Sequence, residues 1–245
     1  MTHDMRGFYD DPDEQRKWGA DLVAAGLSPI EERLVAAHFA PGARVLDVGC
    51  GGGREAFALA ARGFAVTAVD YTPAFVAACR AGAAARGLAI DVQQADAAAL
   101  PFADASFEHV VMIGQLLGHL RPRARRLQAL AEIRRVMKPG VALVSTNAVE
   151  RRWRYAAYFF AVNLGRRLRN PHGLEPFDAF VRRVGGKPAA GEARPVFHWY
   201  RAVDFRRDAA ACGWRVIATA RRWETEPPPP EPSVHGETFY ALRKE

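Results

Sequence analysis

Cysteines and long apolar stretches are scarce in this sequence of 245 residues. Its three cysteines, Cys50, Cys79 and Cys212, are too scattered for a zinc-binding spacing or a disulfide framework. The seven histidines are also dispersed, so we expect no metal site. No run approaches the roughly 18 apolar residues of a transmembrane helix, and the N-terminal residues lack the apolar core of a signal peptide. We therefore expect no membrane insertion, and a cytoplasmic location is the default.

The charge is moderately basic, with 34 Lys and Arg against 27 Asp and Glu and a formal net charge of +7. Such a balance permits contact with acidic partners such as RNA. Almost all of the basic residues are arginines, however, and alanine is abundant, as expected of a GC-rich coding sequence. The charge alone therefore does not indicate a nucleic-acid-binding protein. The hydrophobic content of 49% is sufficient for one sizeable core.

Residues 45–53, Val-Leu-Asp-Val-Gly-Cys-Gly-Gly-Gly, begin as a buried strand and end as a glycine loop. A helical stretch follows from Arg54, and this order is typical of the nucleotide-binding half of a doubly wound α/β sheet. Glycines let a ligand approach the backbone closely, and the helix N-terminus behind them presents unpaired N–H groups. Arg54 stands where a dinucleotide-binding fingerprint needs its third glycine, and the absence of a following Lys-Ser/Thr pair excludes a P-loop.

Carboxylates follow the next two predicted strands. Asp70 ends the strand predicted over residues 65–70, about 20 residues beyond the glycines, where a carboxylate accepts hydrogen bonds from the hydroxyls of an adenosine ribose. Tyr71 comes next, and its flat ring suits contact with adenine. Asp96 and Ala97 end the strand predicted over residues 90–94. The pattern indicates a ligand that contains adenosine.

Two helices have boundary signals in the sequence. Ser28, Pro29 and Glu31 form an N-cap, a first helical proline and a capping-box glutamate, which predicts a helix running to about Phe39. Apolar residues at helical spacing predict a second helix over residues 123–137. Lys138-Pro139-Gly140 is expected to end that helix before a fifth strand over residues 141–145.

Several segments, in the correct order, resemble those of the class I S-adenosylmethionine-dependent methyltransferases, in particular the type 11-like domain. They are Asp-x-Gly-x-Gly-x-Gly at 47–53, Leu-Pro-Phe-Ala-Asp-Ala-Ser-Phe-Glu at 100–108 and Glu-Ile-Arg-Arg-Val-Met-Lys-Pro-Gly at 132–140. The resemblance implies S-adenosylmethionine as cofactor, with Asp96 near the adenine amino group and the strand end at Gly114 and Gln115 facing the transferable methyl. The implied cofactor-binding residues are Asp47, Gly49, Cys50, Gly51, Gly53, Asp70, Tyr71, Asp96, Ala97, Gly114 and Gln115.

The resemblance also implies one α/β domain over residues 1–245. Its Rossmann-like core is a seven-stranded, mostly parallel sheet flanked by helices, with an antiparallel final strand. We expect an N-terminal helical cap (1–40), a cofactor-binding core (41–146), a substrate-side insertion after strand 5 (147–200) and the C-terminal part of the sheet (201–245). Tyr9 and Trp18 of the cap are placed either to contact cofactor or substrate or to pack on the core.

Within the insertion, residues 153–164 are strongly apolar and bordered by arginines, and we predict a helix there. Our first interpretation of this helix is a lid that packs over the active site. The second is a basic amphipathic surface for a membrane or RNA.

Methyl transfer by in-line displacement mainly requires alignment of donor and acceptor, and a base is needed only where the acceptor must lose a proton. The candidate catalytic residues are His119, after the fourth strand, and His198 and Tyr200, before a helix where the family often lines its substrate pocket. We expect a methyltransferase with a small-molecule acceptor. The alternatives are an RNA (tRNA) methyltransferase docking through the arginines of residues 121–138 and of the insertion, a non-catalytic S-adenosylmethionine-binding protein, and an NAD-linked oxidoreductase, which the Arg54 position disfavours.

Overall fold

The structure is a computed structural model that describes Tyr9 and residues 12–16, 22–149, 153–180, 196–225 and 236–244. Its strands are β1 (Arg44–Val48), β2 (Ala65–Asp70), β3 (Asp91–Gln94), β4 (Phe107–Met112), β5 (Met137–Asn147), β6 (Asp178–Phe180), β7 (Val196–His198), β8 (Arg215–Arg221) and β9 (Glu237–Lys244). Its helices are α1 (Pro12–Arg16), α2 (Leu22–Ala25), α3 (Pro29–His38), α4 (Arg54–Ala61), α5 (Pro73–Ala85), α6 (Leu116–His119), α7 (Arg123–Val136), α8 (Trp153–Leu168), α9 (Ala202–Ala211) and α10 (Arg222–Thr225).

Seven strands form one sheet in the order β3-β2-β1-β4-β5-β9-β8. Strands β1 to β5 pair in parallel, and β9 is antiparallel to both β5 and β8. The predicted seven-stranded, mostly parallel α/β fold with an antiparallel final strand is therefore confirmed. Because the strand order changes direction between β1 and β4, their carboxyl ends form the crevice where ligands bind in such sheets.

Helices cover both faces of the sheet, so the central strands are buried on each side. On one face, Val110 of β4 belongs to an apolar cluster with Ile133 of α7 and Phe205 of α9. On the other face, the adjacent residue Val111 belongs to a cluster with helices α3, α4 and α5, which includes Leu34. Because adjacent residues of β4 are buried on opposite faces of the sheet, nearly every position of such a strand is apolar.

The prediction that Lys138-Pro139-Gly140 separates the helix over 123–137 from the fifth strand was wrong. Helix α7 ends at Val136, and β5 begins at the next residue, so Lys138-Pro139-Gly140 lies within the strand. The register explains this, because Phe107 pairs with Met137 while His109 pairs with Val141, which leaves extra residues in a bulge on β5. At Gly140 a Cβ atom would lie 2.2 Å from the Glu108 carbonyl oxygen, so glycine permits the bulge.

The capping box before α3 is confirmed, since the Ser28 N–H donates to Glu31 Oε2 at 2.7 Å. Trp18, which the sequence analysis places in the N-terminal cap, lies outside the described residues. Among the described residues, no helix combines the length and apolar character needed to cross a bilayer.

The expected insertion contains the predicted helix, which extends further than expected, over Trp153–Leu168. It also contains a small antiparallel sheet of β6 and β7, which the sequence did not indicate. The two ends of the segment meet, because Tyr200 N–H donates to the Asn147 carbonyl and Val149 N–H to the Tyr200 carbonyl, both at 2.9 Å. The segment therefore starts and returns at the carboxyl end of β5.

Candidate active site

The glycine loop lies at the carboxyl end of β1 and is tied to β2. The N–H groups of Gly49 and Cys50 both donate to the Val69 carbonyl oxygen, at 2.8 and 3.0 Å. Gly49 has φ +79°, and a Cβ there would lie 2.5 Å from Leu116 Cδ2 of α6. The left-handed backbone therefore disfavours any other residue at this position, and a Cβ would also displace the Leu116 side chain. Cys50 is buried, so we expect its contact with a ligand to be through its backbone.

Asp70 is held against this loop. Its Oδ2 accepts the Gly51 N–H at 3.0 Å, and its Oδ1 accepts the Thr72 N–H at 2.8 Å. Burial raises the pKa of Asp70, and the two backbone N–H groups act in the opposite direction. Tyr71 beside it is exposed. The structure thus brings the acid predicted from its spacing to the glycine loop.

Asp47 lies under the loop near the end of β1 and is almost fully buried. Its Oδ2 accepts no hydrogen bond from any described residue. Burial, followed by the neighbouring Glu55, raises the pKa of Asp47 well above its usual range. A buried carboxyl oxygen without a donor fits a ligand that brings its own N–H or O–H group.

Asp96, just beyond the end of β3, is fixed from two sides. Its Oδ1 accepts the Ala98 N–H at 2.9 Å, and its Oδ2 forms a 2.6 Å ion pair with Arg125 of α7. Ala97 is buried beside it. Arg125 is not identifiable from the sequence, because nothing local to α7 marks one of its several arginines as the partner of Asp96.

The loop after β4 contains open space. Gly114 and Gln115 both have left-handed backbones, with φ of +65° and +66°. A Cβ on Gly114 would meet no described atom within 4 Å. The Gln115 N–H donates to Ser145 Oγ of β5 at 3.1 Å, which anchors the loop on the neighbouring strand. The described residues therefore leave room for a ligand group beside Gly114.

His119 ends α6 and lies beneath Tyr9. The Tyr9 hydroxyl is 3.2 Å from His119 Nε2, and its ring contacts the ring of Phe75 with 5.5 Å between centroids. Burial lowers the pKa of His119 to about 4, and burial together with Asp70 and Glu14 raises the pKa of the Tyr9 hydroxyl well above its usual value. At neutral pH the Tyr9 hydroxyl and the His119 imidazole are therefore both uncharged and lie within hydrogen-bonding distance of each other.

His198 and Tyr200 do not join His119. In β7 the ring of Phe197 contacts the His119 ring with 4.5 Å between centroids, and successive strand residues point to opposite sides. His198 Nδ1 lies 2.8 Å from Asp178 Oδ1 of β6. Strand alternation therefore turns the His198 side chain away from His119.

Tyr200 is a core residue with an engaged hydroxyl. It is 1% exposed, accepts the Arg126 Nε–H at 2.9 Å and donates to Asp208 at 3.5 Å. Burial raises the pKa of Tyr200 further from neutrality, which disfavours a role as a base. The geometry therefore favours a structural role for Tyr200 between α7 and α9.

Around His198 lies a network of ion pairs. Glu175, Asp178 and His198 place ligand-type atoms within 4.8 Å of one another, an arrangement that resembles a metal site. Arg121 Nε is 2.9 Å from Asp178, and Arg126 is 2.7 Å from Glu175. Because these cations already neutralise the carboxylates, the cluster fits an ionic junction that fastens the insertion to α7.

A second buried network joins the two sides of the crevice. Ser145, which accepts the Gln115 N–H, donates to Glu237 of β9. Arg222 of α10 donates to Glu237 at 3.0 Å and to Glu31 at 3.1 Å. Glu31 in turn pairs with Arg54, the residue after the glycine loop. The loops after β1 and β4 are therefore connected through buried charges, with α3 of the N-terminal cap in the same chain of contacts.

Comparisons with known proteins agree with this geometry. Residues 45–140 match a family model described as a methyltransferase domain. An uncharacterized protein of Mycobacterium tuberculosis is 41% identical over 123 residues, which cover 49% of this chain and 42% of that protein. A demethylmenaquinone methyltransferase of Renibacterium salmoninarum is 35% identical over 143 residues, covering 58% and 57%. The chain spans about half the length of the curated relatives it matches.

A solved structure of an S-adenosylmethionine-dependent methyltransferase from Methanosarcina mazei has the same fold. It superimposes with a TM-score of 0.69 at 19% identity, covering 89% of this chain and 98% of that one. The predicted class I S-adenosylmethionine-dependent methyltransferase fold is thus confirmed, and S-adenosylmethionine is the cofactor of that neighbour. The unpartnered Asp47 oxygen, the Asp70 carboxylate and the open space at Gly114 all fit it.

Proposed function

We propose that this chain is an S-adenosylmethionine-dependent methyltransferase that acts on a small-molecule acceptor. The observation that carries the proposal is the contact of the Asp70 carboxylate with the Gly51 N–H at 3.0 Å. This contact joins the carboxyl ends of β1 and β2 into one adenosine-binding corner. A domain match over residues 45–140 supports the same interpretation.

We assign the cofactor-binding roles as follows. Asp70 accepts hydrogen bonds from the ribose hydroxyls, Asp96 accepts one from the adenine amino group, and Arg125 holds Asp96 in place. Asp47 offers its buried Oδ2, which no described residue engages, to a donor on the methionine portion. When bound, the cofactor supplies a methyl group on a sulfonium, so its carrier departs as a neutral thioether. The chain itself aligns the acceptor and excludes water.

The acceptor side is formed by the open space at Gly114 and by the pair of Tyr9 and His119. His119 is neutral at physiological pH because burial lowers its pKa to about 4, so its imidazole is in the form that takes a proton, although that pKa makes it a weak base. We assign His119 as the base for an acceptor that must lose a proton, with Tyr9 positioning the ring. Phe197 provides an apolar wall beside it. A flat or aromatic small molecule fits this lining, and the relative whose name refers to demethylmenaquinone supports a small acceptor.

Four of the five arginines of α7 are engaged by carboxylates, which favours a small molecule over RNA. Arg123 pairs with Asp208, Arg125 with Asp96, Arg126 with Glu175, and Arg135 with Glu132 and Asp104. Side chains that satisfy internal carboxylates leave less positive charge for phosphates.

The test has two stages. Isothermal titration calorimetry should show binding of S-adenosylmethionine, and Asp70→Asn should weaken it. Incubation with cofactor labelled on the methyl group, against a panel of phenols, quinols and tRNA, should then place the label on a small molecule, and His119→Asn should slow that transfer. Absence of cofactor binding would reject the proposal. Binding without transfer to any acceptor would favour the non-catalytic alternative, and label in tRNA would favour the RNA methyltransferase.

A further inference from the structure

Helix α8 has two faces of different character. Its inner face packs on the protein, since Phe159 is buried against Phe177, with 5.6 Å between ring centroids, and Tyr155 lies 5.1 Å from Trp199. Its outer face has four large apolar side chains that are mostly exposed, at 76%, 74%, 54% and 89%: Trp153, Phe160, Leu164 and Leu168. At roughly 100° per residue these four positions fall within about 80° of the helix circumference. They form a continuous apolar stripe, which we call the outer stripe.

Positive charge borders the outer stripe on both sides. The same 100° geometry places Arg154 beyond one edge and Arg167 beyond the other, and both are exposed. The Arg154 guanidinium lies 5.8 Å from the centroid of the Trp153 ring. The sequence from Trp153 to Asn170 contains no acidic residue. Arg166 differs, because it faces inward and donates to the carbonyls of Glu175 and Asp178 at 3.0 and 2.6 Å.

We propose that the outer stripe binds the surface of an anionic phospholipid bilayer, with α8 lying parallel to the membrane plane. Aromatic and leucine side chains enter the boundary between headgroups and acyl chains in such helices, and flanking arginines bind lipid phosphates. Charge complementarity selects this occupant, because every charged side chain beside the stripe is positive. The helix lies on the membrane and does not span it.

Other occupants fit these residues less well. A second copy of the chain would bring two acid-free helices together and set Arg154 and Arg167 of each against like charges. Single-stranded RNA uses aromatic rings as stacking platforms, and the aliphatic Leu164 and Leu168 provide none. A bilayer satisfies both the aliphatic and the cationic residues.

The stripe also connects with the proposed acceptor side. Trp199, which contacts Tyr155 and Phe159 on the inner face of α8, lies two residues from Phe197, which contacts His119. A bilayer under α8 would therefore lie near the acceptor side and favour a lipophilic acceptor. That consequence rests on the proposed function, whereas binding to the bilayer does not.

The experiment is co-sedimentation of the full chain with vesicles of phosphatidylcholine alone and of phosphatidylcholine with an equal amount of phosphatidylglycerol. We expect binding to the anionic vesicles at least tenfold tighter than to the neutral ones. The variant Phe160→Ser, Leu164→Ser, Leu168→Ser should lose binding at least tenfold. Its control is Val203→Ser on α9, which also removes an exposed apolar side chain but lies outside the stripe.

A second experiment tests the role of charge by comparing two variants, each with one arginine replaced by glutamate. Arg154→Glu should weaken binding to anionic vesicles several-fold more than Arg33→Glu, which makes the same change in net charge at an exposed position of α3. Thermal unfolding of every variant checks that the fold is retained. Equal sedimentation of the triple-serine variant and the parent chain, or no sedimentation with anionic vesicles, would overturn the proposal. A dimer that the triple-serine variant abolishes, without vesicle binding, would identify a second copy as the occupant and overturn it as well.

Discussion

Arg54 and Glu31 form a bidentate ion pair that links the N-terminal cap to the glycine loop. Arg54 Nη1 and Nη2 donate to Glu31 Oε2 and Oε1 at 2.7 and 3.0 Å, and Nη1 also donates to the Gly26 carbonyl at 3.0 Å. Glu31 at the same time accepts the Ser28 N–H in its capping box. One buried carboxylate thus starts α3 and positions the first turn of α4, so cap and loop are mechanically joined.

Replacing Arg54 by methionine should lower the free energy of unfolding by about 3–5 kcal/mol, because it removes the cation that the buried Glu31 and Glu55 share and leaves Glu31 paired with Arg222 alone. Urea denaturation followed by circular dichroism measures this. The matched control is Arg62→Met, since Arg62 also links α4 to α3, through Glu32, but both of these side chains are exposed. We expect at most about 1 kcal/mol there. Equal losses for the two variants would contradict the distinction.

The cofactor corner was predictable because its signals are local. Glycines at fixed spacing and Asp70 at a strand end each lie within one strand–loop–helix unit. The partners that hold these residues come from far along the chain: Arg125 reaches Asp96 from 29 positions away, and Arg222 reaches Glu31 from 191. No pattern in the sequence specifies such pairings, because they arise only when the sheet assembles.

Asp70→Asn should weaken S-adenosylmethionine binding by on the order of 1–3 kcal/mol, since a neutral amide replaces one charged acceptor of the ribose hydroxyls. Calorimetry gives the change in affinity directly. Asp91→Asn is the control, because Asp91 is exposed and lies at the start of β3, at the end of the strand away from Asp70. Unchanged affinity in Asp70→Asn, or an equal loss in Asp91→Asn, would show that Asp70 does not bind the cofactor.

Gly114→Ala should reduce methyl transfer or cofactor affinity, because the new methyl group enters the open space at the end of β4. Backbone strain alone accounts for about 1–2 kcal/mol of stability at a left-handed position. Gly87→Ala isolates that strain, since Gly87 has φ +63° against +65° for Gly114 and also has no described atom within 4 Å of a Cβ. Both variants should lose similar stability in urea, while only Gly114→Ala loses function. Full function in Gly114→Ala would place the acceptor elsewhere.

The insertion shows where sequence interpretation was least successful. His198 and Tyr200 were chosen for their position before α9, but the intervening β7 strand fixes which side chains face the crevice. That strand exists because it pairs with β6, a partner about 18 residues away in the chain. Phe197 faces His119 for the same reason.

Tyr200→Phe should lower the free energy of unfolding by about 1.5–3 kcal/mol, because it removes a buried hydrogen bond from a charged guanidinium. Turnover measured well below the melting temperature should be unaffected. Tyr158→Phe removes a hydroxyl from an exposed side chain and should change neither quantity. A loss of kcat in Tyr200→Phe without a loss of stability would return Tyr200 to the catalytic candidates.

His119→Asn should flatten the dependence of stability on pH. Burial lowers the pKa of His119 in the folded chain from 6.5 to about 4, so between these values the unfolded chain binds more protons than the folded one. The contribution of His119 to the free energy of unfolding is fully present above about pH 6.5 and is lost as the pH falls toward 4. A shift of about 2.5 pH units corresponds to roughly 3 kcal/mol. The parent chain should therefore lose up to that much more than the variant over this interval.

Urea titrations at several values between pH 4 and 7.5 measure the difference, and other histidines cancel because both proteins contain them. His172→Asn is the control, since His172 lies exposed beyond the end of α8. The same pKa makes a kinetic prediction, because a base that stays neutral down to about pH 4 gives kcat/KM no inflection near pH 6.5. Parallel stability curves for the parent and His119→Asn would mean that His119 is not buried as a neutral imidazole. An inflection near pH 6.5 that disappears in His119→Asn would mean that the Tyr9 contact does not persist in the working enzyme.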